Sequence, residues 1–97
     1  MVTRKFKDHP HAKAWILEHE TGEKVLVSYS TPVVEINHEG WMKINTLENP
    51  ATGELSMTTI KHVGWFMREL GFTYQLAKAL YYDHKEMNIY TGEVIDA

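Results

Sequence analysis

The sequence predicts an α+β domain: a small antiparallel β-sheet of four or five strands packed against one long helix and one short helix. Two observations carry this. From residue 14 to residue 45, short β-prone stretches alternate with turn-forming residues. From residue 56 to residue 82, apolar residues recur at helical spacing behind hydroxyl-bearing caps. A run of strands followed by a run of helices separates the two kinds of element, which is the α+β pattern.

Taken in order, residues 1–11 are basic and then polar, and read as a loose, flexible arm or a lead-in to the first strand. Ala14 to His19 is strand-like, Glu20-Thr21-Gly22-Glu23 turns, and Lys24 to Tyr29 is strongly β-prone, so the two stretches form a hairpin. Val25, Val27 and Tyr29 fall on one face, Leu26 and Ser28 on the other. Pro32 has no N–H for a ladder, so its strand kinks there or lies at an edge. Val33 to Asn37 continues as strand, His38-Glu39-Gly40 turns, and Trp41 to Asn45 is the next strand. Asn49 to Glu54 is a second turn-rich stretch.

Ser56, Thr58 or Thr59 caps the long helix, because a hydroxyl accepts from the unpaired amides of a first turn. Ile60, Val63, Phe66, Met67 and Leu70 form its stripe, and Gly71 stands where a helix-ending glycine belongs. Thr73 caps the second helix, whose stripe is Leu76, Ala77, Leu80 and Tyr81. Met87 to Tyr90 and Glu93 to Ile95 read as a last strand or hairpin. Thr-Gly-Glu occurs at 21–23, 52–54 and 91–93, without a shared period or flanks, so turn chemistry explains it better than a repeat.

With 97 residues, 43% of them hydrophobic, the chain is a single domain, residues 1–97, with material for one core. The net charge of -3 supplies no overall basic character for nucleic acid. Cysteine is absent, which removes thiolate chemistry and cysteine-held zinc. No apolar run approaches the roughly 20 residues of a spanning helix. The basic start lacks the apolar stretch of a signal peptide, so the cell interior is the expected location.

Two stretches, Ser28-Tyr29-Ser30-Thr31-Pro32-Val33 and Ser56-Met57-Thr58-Thr59-Ile60-Lys61-His62, resemble a family of small uncharacterised proteins encoded by bacteriophages and prophages. The resemblance spans roughly residues 15–70. It departs in a longer connection from Trp41 to Ser56 and in the tail from Phe72 onward. It implies a phage origin and a life in the host cytoplasm, and it implies no reaction.

Thr58, Thr59 and His62 fall on one side of the long helix's start, because His62 is four residues from Thr58 and three from Thr59. They read as a contact surface, for an anion held by free amides, or as a cap with His62 hydrogen-bonded to a strand. His9 and His11 have metal-like spacing, but no acidic or cysteine partner accompanies them, and a solvated tail explains them better. His19, His38 and His84 read as exposed. No nucleophile elbow, phosphate loop or dinucleotide glycine set occurs, so no enzyme and no cofactor is expected. Phe66 to Leu80 resembles a helix-turn-helix, with Thr73, Tyr74, Gln75, Lys78 and Tyr82 as its recognition face. Trp65 lies beside the apolar stripe, where it would join Tyr74, Tyr81 and Tyr82 in an exposed patch suited to a partner or to a homodimer. The leading expectation is a phage-type accessory protein that binds a host or phage protein without catalysis, an inhibitor of a host defence or replication factor being one form. The alternative is sequence-specific DNA binding through residues 66–82.

Overall fold

The computed structural model describes residues 1–97. Its strands are β1 (Val2–Arg4), β2 (Ala14–Glu18), β3 (Lys24–Ser28), β4 (Thr31–Ile36), β5 (Trp41–Ile44), β6 (Lys85–Asn88) and β7 (Val94–Asp96). Two helices, α1 (Met57–Glu69) and α2 (Tyr74–Tyr82), are inserted between β5 and β6. All seven strands form one sheet in the order of the sequence, each antiparallel to the next.

The α+β class and the two helices stand as expected; the strand number does not. The sheet has seven strands rather than four or five. The additional ones lie at its margins. β1 and β7 have three residues each, and β7 is exposed throughout, so neither carries the alternation by which a strand is read. The C-terminal stretch is a hairpin, β6 with β7. Residues 1–11, expected as a loose arm or lead-in, contain β1 on the sheet edge and Phe6, which is buried in the core.

The four central strands follow the expected pattern. Ala14, Ile16, Leu26, Ser28, Met42 and Ile44 are buried beneath the helices, while Trp15, Val25, Val27 and Lys43 alternate onto the open face. Pro32 sits at a register shift. Leu26 pairs with Val34 and Val27 with Pro32, so Val33 is an extra residue and both valines reach the core. Of the two expectations for proline, the edge position is not met: β4 is an interior strand, and its pairing with β3 shifts register there.

Val63, Phe66 and Met67 face inward from α1, and Ala77 and Leu80 from α2. α1 packs over β3 and β4, and α2 over β5 and β6. Each fully buried large side chain contributes about 1.5–3 kcal/mol, so this layer, more than any surface pair, holds the helices down. Arg4 nevertheless joins three elements. Its guanidinium meets Glu69 of α1 at 2.9 Å and Glu18 of β2 at 2.7 Å, and Glu18 also accepts from Lys24 of β3 at 2.9 Å. The Lys24 hydrogen bond first, then Arg4, holds the Glu18 carboxyl below its ordinary range.

Candidate functional site

The sheet and α1 meet at a cleft of about 380 Å³. One wall is the β3–β4 turn, Ser28 to Thr31. Another is the start of α1, with Ser56, Thr58 and Thr59. The third is the connection at Glu48, Asn49 and Pro50. The two stretches singled out in the sequence therefore line one cleft, although 22 residues, 34 to 55, separate them.

Ser56 is the cap of α1, and its hydroxyl accepts from the Thr59 amide at 3.2 Å. The Thr58 and Thr59 hydroxyls cap nothing. These β-branched residues occupy the first turn, where their crowding costs least. Thr58 is exposed, whereas Thr59 is buried against the cleft. His62 is buried one turn further on, and its Nδ1 lies 2.8 Å from the Ser28 hydroxyl. A polar residue on the inner face of a strand is thus paired with a polar residue on the inner face of the helix, which satisfies both.

This is a serine–histidine pair without the rest of a nucleophilic site. Ser28 is only 3% exposed, and none of the ion pairs or carboxylate hydrogen bonds involves the His62 ring. An activated serine needs access and an oriented base. Burial, then the charges of Lys5 and Lys61, lowers the His62 pKa from its ordinary 6.5, so the ring is neutral at neutral pH. Its work is to tie α1 to β3.

Tyr29 forms the turn above this tie. Its φ of 56° is left-handed, a conformation that costs a residue with a Cβ about 1–2 kcal/mol. Its amide donates to the Lys13 carbonyl at 2.7 Å, while its ring is 58% exposed. Leu55 and Met57, either side of the cap, are also exposed. Within the cleft, the Ser28 and Ser56 hydroxyls are hydrogen-bonded, and those of Ser30, Thr31, Thr58 and Thr59 are engaged by no other protein group.

The remaining candidates lie elsewhere. Trp65 is half-buried: Phe6 meets its ring edge-on at 5.6 Å, and His9 stacks on it at 3.6 Å and 8°. Tyr81 and Tyr82 pair with each other at 5.3 Å. The expected patch of Trp65 with the tyrosines is therefore not formed, because the N-terminal segment covers the tryptophan. His9, expected in a solvated tail, is part of that cover. Tyr74 packs over Gly64, and burial raises its pKa. Lys78 and Tyr82 are exposed on α2. Thr58 and Thr59 thus line the cleft, His62 is buried against Ser28 without lining it, and Trp65, Tyr74, Lys78 and Tyr82 lie outside it.

Sequence reasoning did not select Tyr29, Leu55, Met57, His9 or the Ser28 tie as site residues. For Ser28 a signal existed: it shares a strand face with Leu26, so a buried hydroxyl needing a partner was readable. No helix of the fold is long and apolar enough to cross a membrane. No curated protein and no solved structure matches the chain. A family profile does match over residues 5–87, and by that match the chain belongs to a family of unknown function, DUF8033.

Proposed function

We propose that this chain is a small accessory protein of bacteriophage type that binds a host or phage protein, without catalysis, through the cleft at the start of α1. The observation that carries this is the composition of the cleft and its rim. Exposed Tyr29 lines the cleft with the unengaged hydroxyls of Ser30, Thr31, Thr58 and Thr59, and exposed Leu55 and Met57 adjoin the lining residue Ser56 in the chain. Large apolar anchors beside adaptable hydrogen-bonding groups make a protein-contact surface. In this reading the protein works in the host cytoplasm, and occluding a defence or replication factor is the simplest effect so small a binder can have. The absence of a carboxylate on His62 and the burial of Ser28 support a non-enzymatic role.

Affinity capture from host cells tests it. A partner held by the wild type should be lost with Tyr29→Gly, which removes the anchor at a position suited to glycine. Retention of the partner by that variant would overturn the site. Turnover of a nucleotide, peptide or ester that disappears with Ser28→Ala would overturn the non-enzymatic role.

One observation favours a second reading, DNA recognition by residues 66–82. Gly71, at φ 88°, turns α1 into α2, and Gln75, Lys78 and Tyr82 stay exposed on α2. Here Lys78→Glu should nearly abolish sequence-specific duplex binding. Unchanged binding would take α2 out of the interface. Homodimer formation belongs to the same set of proposals, with exposed Tyr82 beside half-buried Tyr81 as its contact; a mass near that of one chain at high concentration ends it.

A further inference from the structure

The net charge of -3 conceals a separation of charge along the chain. Residues 1–13 and 57–82 hold seven of the ten cations and only two of the thirteen carboxylates. The remaining residues, most of the sheet and its turns, hold the other three cations and eleven carboxylates.

The fold brings the two cation-rich segments onto one surface. The N-terminal segment is fastened to α1 by the Arg4–Glu69 ion pair and by Phe6 and His9 against Trp65. Lys61, Trp65 and Arg68 stand at i, i+4 and i+7 on α1, hence along one stripe, and both cations are exposed. Arg68 borders two hollows. One is formed with Asp8, His9 and Trp65, and the other with Gly64, Tyr74 and Gln75 at the start of α2. Lys78 lies one turn beyond Tyr74, and Lys7 adjoins Arg4. Lys7, Lys61, Arg68 and Lys78 belong to none of the ion pairs. Of the two carboxylates within these segments, Glu69 is paired with Arg4, which leaves Asp8; Glu18 of the sheet, also on Arg4, is paired with Lys24 as well.

We infer that this surface binds the phosphate backbone of duplex nucleic acid. Four unpaired cations along two packed helices and the adjoining segment fit a row of phosphates. The aromatic ring at the centre of the surface is already engaged within the protein: His9 stacks on one face of Trp65 at 3.6 Å and Phe6 meets the ring at 5.6 Å. The contact is therefore electrostatic and indifferent to sequence, unlike groove reading by α2. It also rests on neither the cleft nor its partner. A host factor at work on nucleic acid would present both a protein surface and phosphates to this chain.

The test is fluorescence anisotropy with two labelled duplexes of unrelated sequence, titrated from about 50 mM to about 200 mM salt. Four phosphate contacts give a slope of log affinity against log salt of about −3.5. The double variant Lys7→Glu/Arg68→Glu, checked for fold by circular dichroism, should roughly halve that slope and lower low-salt affinity at least about tenfold. Lys43→Glu, on the open face of the sheet, should leave both unchanged. The inference is overturned by no binding at low salt. It is equally overturned by an equal loss with Lys43→Glu, by a strong preference for one sequence, or by tighter binding of the matching single strand. None of these results bears on the cleft, and loss of a protein partner with Tyr29→Gly does not bear on them.

Discussion

The two ends of the sheet use their polar groups in opposite ways. At one end lie the β4–β5 and β6–β7 turns, where the side chains of Asn37, Asn88 and Thr91 are hydrogen-bonded to turn backbone. Asn88, buried at 7% exposure, donates to the Glu39 carbonyl and accepts from the Tyr90 and Thr91 amides. The Asn37 side chain accepts from the Glu39 and Trp41 amides. Gly40, at φ 93°, lies so close to the Tyr90 ring that a Cβ would sit 2.5 Å from it. At the other end lie the β3–β4 turn and the start of α1. There the turn residue is a tyrosine in a conformation that favours glycine, and four hydroxyls have no protein partner. One end is built to hold turns. The other holds the Ser28–His62 tie, the Ser56 cap and the Tyr29–Lys13 hydrogen bond beneath hydroxyls that no protein group engages, the surface to which the proposed function assigns a partner.

Mutations should separate the ends, and the largest effect belongs to the closed one. Asn88→Ala strands the Glu39 carbonyl and two amides, and should cost about 2–3 kcal/mol in denaturant unfolding. A cost below about 0.5 kcal/mol would mean the turns do not depend on it.

Next comes the tie beneath the cleft. Ser28→Ala leaves the buried His62 nitrogen without its partner and should cost about 1–2 kcal/mol. Because His62 has a pKa below its unfolded value of 6.5, the unfolded chain takes up more protons than the folded one as pH falls. The contribution is thus fully present above that value and is lost as pH drops towards the folded pKa. Stability curves measured across this window should fall with acid in the wild type, and less steeply in His62→Gln. Identical slopes would show that His62 is not the group responsible.

Tyr29→Gly sharpens the contrast. Glycine relieves the left-handed strain, so the variant should gain up to about 1 kcal/mol. A gain in stability with a loss of binding is the signature of a residue kept for contact rather than for folding. The smallest effect is expected for Thr58→Ala, whose exposed hydroxyl supports nothing in the fold. Its melting curve should stay within about 0.5 kcal/mol of wild type.

Much of this was legible in the sequence, and the failures have physical causes. The central strands and both helices announced themselves because one side of each is buried, which imposes a period of two or 3.6. β1 and β7 did not, being short and at the sheet edges with little to bury. Tyr29 reads as strand by propensity, and only the tight β3–β4 connection turns it left-handed. Trp65 was read as lying beside the helix stripe in an exposed patch; it is half-buried, like Ile60 and Leu70 of that stripe. Its cover, Phe6 and His9, comes from a segment some 60 residues away in a stretch that looked like tail, a contact no local pattern encodes. For the cleft, the position of Thr58 and Thr59 at the helix start was readable from the sequence, whereas His62 is buried beneath it against Ser28. The opposite wall of the cleft depends on how β3 packs against α1.

The most direct measurement places a photo-reactive phenylalanine analogue at Tyr29 or, separately, at Tyr90. Both rings are well exposed, 58% and 70%, and they mark opposite ends of the sheet. After irradiation in living host cells, the account predicts a discrete protein adduct from position 29, suppressed by excess unlabelled wild type, and none from position 90. Adducts shared by both positions, or found only at position 90, would contradict it.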